Sequence, residues 1–482
     1  MFSKFVILAS MALPLCGQAV PPQALTHAQA AVRAEQRGDF ATAVHEYESV
    51  VRMLPINAEM KSNLGVALYF DHDLSRAIKV FGQAISRNPQ LFAPHLFSGL
   101  ARYRLSDPDA AVPELEKAVR LKPSDVIAHT WLGYAYNAQG SYEPALKELR
   151  KAQQLDPDNL DVWFALGQNY LEIGRQATQQ LLTVAPDGAR AWQLSGEQLK
   201  LKGDTKGAVE NFMAALNRRP QLSEVRIQVT ELGGNAPPAP DPASQRSPDY
   251  SKEDALYRQA HDAEDQARVA FERIAQIAPD SYRTHQIMAD ALFAQEQYAK
   301  SLEEYRMVVK LKPDLPGIHE AIGNILLRTN KPQEALAEFQ SELIIQPRSA
   351  GAFTNVGQAM IILGNDKGAG EIFAKAIQLD RPPPELYRLM GKVDLHLNNY
   401  FAAAKELNQY ATLKPRDATA YYLLSKAYRG LGDKAQMQQA LARFQETSRD
   451  AKARSHAQME LEALNNRKQP IEDTEAADNP RR

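Results

Sequence analysis

Small and large apolar residues return along this chain at a fixed interval of 34 residues. A small residue recurs at Ala31, Gly65, Gly99, Gly133, Ala289, Gly323, Gly357 and Gly391. A second recurs at Ala43, Ala77, Ala111, Ala145, Ser301, Ala335, Ala369 and Ala403, and four residues beyond it stands a large apolar side chain: Tyr47, Phe81, Leu115, Leu149, Tyr305, Phe339, Phe373 or Leu407. Proline closes the unit at Pro55, Pro89, Pro123, Pro157, Pro279, Pro313, Pro347 and, after one skipped position, Pro415. The spacing predicts two helices per unit, with a small residue on each so that the backbones approach and the large side chain filling the space beside them. Turn signals such as Gln36-Arg37-Gly38-Asp39, Ala138-Gln139-Gly140-Ser141 and Leu363-Gly364-Asn365-Asp366 end the first helix. Proline cannot donate into a helix ladder and stops the second. Asp or Ser after it, as in Pro123-Ser124-Asp125, caps the next. A period of this length marks an array in which each unit packs on its neighbours.

The pattern resembles the tetratricopeptide repeat (TPR), whose signature is W-x2-L-G-x2-Y followed by A, F and P. The fullest copy is Trp163-Phe164-Ala165-Leu166-Gly167-Gln168-Asn169-Tyr170, with weaker ones at His129 to Tyr136 and Tyr421 to Tyr428. The resemblance implies an all-α, helix-turn-helix solenoid, a right-handed superhelix of about twelve units from residue 24 to roughly 451. Two units depart from the pattern. The one opening at Leu160 meets its proline, Pro186, five residues early, and the one before Pro279 has Ser251, Asp254 and Ala255 where an aromatic, Leu and Gly belong.

Gly233-Gly234-Asn235-Ala236-Pro237-Pro238-Ala239-Pro240-Asp241-Pro242 and the residues to Pro248 are too proline-rich for a helix and read as a semi-extended linker. The expected organisation is a signal peptide at 1–19, an N-terminal array at 20–233, the linker at 234–249, a C-terminal array with a capping helix at 250–466, and a disordered tail at 467–482.

Charged residues make up 24% of the 482 and the net charge is −2, so no global basic field points to nucleic acid or anionic lipid. Lys4, the apolar run Phe5 to Leu15 and Gly17-Gln18-Ala19 fit a secretory signal peptide cleaved after Ala19; the run is too short to span a bilayer. The expected location is a bacterial periplasm, or secretion. Cys16, the single cysteine, supports a competing reading as a lipid anchor, although Leu15 stands where a lipoprotein signal has a small residue.

No catalytic or metal-binding pattern appears. His45-Glu46 and His319-Glu320 lack the second His of a zinc helix, and the ten histidines show no i, i+4 pair. Arg37-Gly38-Asp39 and the glycines from Gly364 to Gly370 occupy inter-helix turns. No cofactor and no enzymatic activity is expected.

The default work of such an array is to bind. The resemblance implies that the first helix of each unit lines the concave side. In the N-terminal half this places Tyr69, Phe97, Tyr103, Trp131 and Tyr134 there, open to two readings: a groove for a peptide, or core knobs between adjacent first helices. In the C-terminal half the same places hold Asn324, Asn355, Arg388, Lys392, Lys426 and Arg429. Asn324 and Asn355 match two asparagines of carboxylate-clamp TPR cochaperones, but the clamp's lysine and later basic pair fall on Glu320, Glu385 and Leu389. The four cations favour an acidic ligand, or are ordinary solvated faces. The expected function is an exported, non-enzymatic scaffold for a protein or peptide. The alternatives are an outer-membrane lipoprotein accessory factor in envelope assembly or secretion, and a non-catalytic subunit of an enzyme complex.

Overall fold

Every turn within a helix pair carries one residue at positive φ, and this fixes where each pair folds back. In the computed structural model, which describes residues 21–239, 250–347, 349–379 and 382–448, that residue is Gly38, Gly140, Gly203 or Gly364 in four turns. In several pairs the next residue caps the following helix: Asp39, Asp73 and Asp107 accept from the backbone N–H groups of Thr42, Arg76 and Ala110 at 3.1, 3.2 and 3.3 Å. The expected signal peptide, capping helix and polar tail lie outside the described residues, as does the linker from residue 240.

Among the described residues there is no strand. The helices pair as α1 (Pro22–Gln36) with α2 (Phe40–Met53), α3 (Ala58–Phe70) with α4 (Leu74–Arg87), α5 (Phe92–Arg104) with α6 (Pro108–Leu121), and α7 (Val126–Ala138) with α8 (Tyr142–Leu155). Next come the long α9 (Leu160–Val184), the pair α10 (Ala189–Leu201) and α11 (Thr205–Arg218), the short α12 (Ser223–Glu231), and the long α13 (Ser251–Ile277). Further pairs are α14 (Tyr282–Ala294) with α15 (Tyr298–Leu311), α16 (Ile318–Arg328) with α17 (Pro332–Ile345), α18 (Ala350–Ile362) with α19 (Asp366–Ile377), and α20 (Pro384–His396) with α21 (Tyr400–Leu413). Last are α22 (Ala418–Leu431) and helical residues 434–448. By contacts the chain forms two units. The first is the chain to Gly174 with Ala263–Ile277; the second is Arg175–Asp262 with the chain from Ala278.

The contact predicted from the period recurs in both units. A Cβ built on Gly133 would lie 2.6 Å from Leu149, and one on Gly196 would lie 2.6 Å from Phe212. Gly65, Gly323 and Gly357 receive the rings of Phe81, Phe339 and Phe373 in the same way. These rings are fully buried, and any side chain on the glycine would drive the two helices apart.

The signature tryptophan position also acquires a physical role. Six residues after a closing proline, a side chain donates back to that proline's carbonyl: His95 Nε2 to Pro89 at 3.2 Å, His129 Nε2 to Pro123 at 3.0 Å, Trp163 Nε1 to Pro157 at 2.7 Å, and Tyr421 Oη to Pro415 at 3.0 Å. Proline has no N–H of its own, and these bonds satisfy the carbonyl left over where one unit ends. Trp192, six after Pro186, is an exception, with Nε1 enclosed and unpaired among the described residues.

The two irregular units of the sequence are halves of one. Helix α9 does not turn back at Gly174 but runs through it. The ring that fills the space above Gly167 comes from Phe271 on α13, and Ala263, Ala267 and Ala270 join Val162, Ala165, Leu166 and Ile173 in one core. Arg273 Nη2 meets Asp158 at 3.2 Å beside it. Excising the 88 residues 175–262 would return Pro279 to 34 residues after Pro157 and Phe271 to 16 after Gly167, the spacing of Gly65 and Phe81. The repeat is split by an insertion at its own turn. A division at the proline-rich segment, into 20–233 and 250–466, would part Gly167 from Phe271.

In the second unit the inserted residues have their own core of Ala189, Ala208, Phe212, Leu216, Val225 and Val229. The first half of α13 is held there by charge. Asp254 accepts from Arg219 at 2.7 and 2.8 Å and from Arg190 Nε at 2.6 Å, and the Arg219 hydrogen bonds lead in holding its carboxyl down at about 2. Tyr257 Oη donates to Glu197 at 2.7 Å.

Five histidines prove to be structural. His27, His95, His129, His285 and His319 each place Nδ1 2.6–2.7 Å from a glutamate 19 residues on, linking the two helices of a pair. The His129 ring lies between two acceptors, the Glu148 carboxylate at 2.7 Å and the Pro123 carbonyl at 3.0 Å, and only the imidazolium donates to both. The Glu148 hydrogen bond accordingly raises the His129 pKa, against an opposing contribution from burial.

Two outcomes follow from this architecture. A chain lacking residues 175–262, with Gly174 joined to Ala263, should fold with the helix content of an uninterrupted array. In that shortened chain Gly167→Leu should cost at least about 1–3 kcal/mol by overpacking; circular dichroism and urea titration check both. The His129 pair should contribute its full stability below the unfolded imidazole value of about 6.5 and lose it as pH rises through the elevated native value. Urea midpoints measured across that range should fall with pH, and His129→Gln should flatten the fall.

Candidate functional site

First helices α5 and α7 touch each other within the first unit, and from them three aromatic side chains converge. The Tyr103 ring centroid lies 5.5 Å from that of Trp131 and 6.4 Å from that of Tyr134, and the Trp131 and Tyr134 centroids are 5.4 Å apart. All three are half-buried, so one side of the cluster packs on the helices while the other faces solvent. Burial raises the Tyr103 pKa. Rings held by one another present contact area with little rotamer entropy left to lose.

Two of the expected groove residues are not on this surface. Tyr69 and Phe97 are each 6% exposed. Phe97 meets Tyr69 at 5.3 Å and Phe70 at 5.9 Å edge to face and stacks on Phe81 at 6.4 Å, all within the core of the first unit. The reading as core knobs holds for these two, because adjacent first helices α3 and α5 pack through them. Tyr103, Trp131 and Tyr134 keep a solvent-exposed side.

In the second unit the first helices present a polar face. Asn324 on α16 and Asn355 on α18 come from helices in contact, and Asn324 Oδ1 and Asn355 Nδ2 are enclosed and unpaired among the described residues. Burial raises the Glu320 pKa, with the Asn355 amide acting the other way. Arg388 and Lys392 on α20 are half-buried, each with an interaction of its own. Lys426 and Arg429 on α22 are exposed, with Lys426 Nζ 4.6 Å from the centre of the Tyr422 ring. Among the described residues no group of three or more His, Cys, Asp and Glu side chains is arranged to hold a metal ion.

The helix pairs, their packing glycines and their proline-closed units define an α-helical repeat protein. Models of the tetratricopeptide repeat match residues 24–91, 98–160, 289–330 and 418–450. The chain belongs to the tetratricopeptide repeat proteins. No curated protein matches the sequence. Among solved structures, the chain is similar to MamA (residues 41 to the end) from Desulfovibrio magneticus RS-1 at 22% identity, covering 42% of this chain and 99% of that one with a TM-score of 0.29. It is similar to YrrB, a TPR protein with an unusual peptide-binding site, at 17% identity over 39% of this chain and 98% of that one, with a TM-score of 0.34. TTC0263, a thermophilic TPR protein of Thermus thermophilus, aligns at 16% identity over 43% of this chain and 98% of its own, with a TM-score of 0.28.

The different burial of neighbouring aromatics has a measurable consequence. Phe97→Ala should cost about 3–5 kcal/mol of stability, the range for emptying a packed core position. Trp131→Ala should cost clearly less, since its ring already has a wet side. Chemical denaturation of the two variants against the parent makes the comparison.

Proposed function

We propose that this chain is an exported, non-enzymatic scaffold that binds a protein or peptide partner through the first-helix faces of its repeats. The observation that carries the reading is the Tyr103–Trp131–Tyr134 cluster: three aromatics from successive first helices, in ring contact and half-open to solvent. Such rigid aromatic surfaces are where binding energy concentrates in protein contacts. The polar face of the second unit, with Asn324, Asn355, Arg388, Lys392, Lys426 and Arg429, adds hydrogen-bonding groups and positive charge that suit the backbone and acidic side chains of a peptide. Export rests on Lys4, the apolar run to Leu15 and the small residues before Val20.

The test is affinity capture from envelope extract with the protein and with a variant carrying Tyr103→Ala, Trp131→Ala and Tyr134→Ala. Truncating one hot-spot aromatic costs at least about 2 kcal/mol, or roughly thirtyfold in affinity. The triple variant should therefore lose its partner while keeping its helical spectrum. An unchanged set of captured proteins would rule out this surface.

A further inference from the structure

The turns within the last helix pairs of the second unit are apolar and exposed. Phe401 is 77% exposed, Ile362 58%, Leu431 44% and Leu397 40%. All four lie at the end of a first helix or the start of a second, so they occupy the same edge of successive repeats. Two contacts show that these turns lie side by side. His396 Nδ1 meets Asp366 Oδ2 at 3.3 Å, joining the α18–α19 turn to the α20–α21 turn. The Tyr400 ring covers Gly430, joining the latter to the end of α22.

Cations flank the row: Lys367 beside Ile362, and Arg429 and Lys434 on either side of Leu431, all exposed. Asp366 faces His396, and Asp433, which caps the Gln436 N–H at 3.0 Å, keeps its charge and offsets one of the three cations. The corresponding turns of the first unit are different. The place of Phe401 is taken there by Ala41, Ser75, Asp109 and Glu143, and the apolar residues at the other places, Phe70 and Leu105, are half-buried. An apolar, basic edge is thus not a requirement of the helix pair.

We propose that this edge docks the protein on an anionic lipid surface, with Phe401, Ile362, Leu397 and Leu431 entering the headgroup boundary and Lys367, Arg429 and Lys434 meeting the headgroups. A projecting row of apolar tips with cations beside them fits a flat negative surface, where each Lys or Arg adds about fivefold to binding.

Sedimentation of the purified protein with phosphatidylcholine vesicles, with and without an equal share of phosphatidylglycerol, tests the idea. The protein should pellet with the anionic vesicles, be released as salt rises, and stay free of the neutral ones. Phe401→Ser should weaken binding about tenfold or more, the worth of burying one large apolar side chain. Lys367→Glu with Lys434→Glu should abolish it. Ile56→Ser, at an exposed apolar residue off this edge, should bind like the parent. Circular dichroism confirms folding of each variant. Equal pelleting with both vesicles, binding untouched by the Phe401 and lysine changes, or an equal loss in Ile56→Ser would overturn the proposal. So would self-association that Phe401→Ser abolishes in a protein that ignores lipid.

Discussion

One contact governs the whole arrangement: a first helix carrying no side chain, or only a methyl, at one point, and a ring or leucine of the second helix pressed into the space. Gly133 under Leu149 and Gly357 under Phe373 set how closely a pair packs, and that distance sets the face each pair offers to the next. The 34-residue period is the trace of this contact in one dimension. Its spatial nature shows at Gly167, whose ring arrives from Phe271 after an insertion of 88 residues. The chain preserves the contact and not the count.

The period, the helix pairs and most turns were legible in the sequence because each rests on short-range chemistry: glycine or asparagine at a turn, aspartate at a cap, proline at an end. The turns at His72, Ser106 and Glu296 carry no such mark. The split unit was not legible as one, because counting by 34 assumes the two helices of a pair are adjacent in the chain. Its parts were nevertheless in place, Gly167 and Gly174 on one side, Ala267 and Phe271 on the other. The histidines looked scattered when sought as metal ligands, since that search asks for spacings of four; at 19 residues to a glutamate, five of them are in register. The candidate surface was half legible. Helical position marked Phe97 and Trp131 alike as inward-facing, but which of them stays wet depends on what neighbouring helices bring. Phe97 meets Tyr69, Phe70 and Phe81 and disappears among them, while Trp131 meets Tyr103 and Tyr134, themselves half-open.

The two units differ in the chemistry they offer. At the candidate positions the first unit offers aromatic rings and the second amides and cations, on a similar helical frame. The frame is fixed by small residues on packed faces and leaves the remaining positions free to vary, so one fold carries unlike surfaces. The charged latch of Asp254 with Arg190 and Arg219 shows the same freedom turned to structure, since it fastens a helix half that lies outside the repeat pattern.

The split repeat also places a demand on synthesis. Helix α9 leaves the ribosome with Gly167 ready, but the ring it requires is 104 residues away. At the usual pace of translation that is a delay of about 5–20 s. Through that time Val162, Ala165 and Leu166 lack the cover that α13 brings. Closing the longer loop costs about 1.7 kcal/mol more entropy than closing the 16-residue one of an ordinary pair. The early pairs are complete before the middle one can shut, and the order of assembly is written into the position of a single turn.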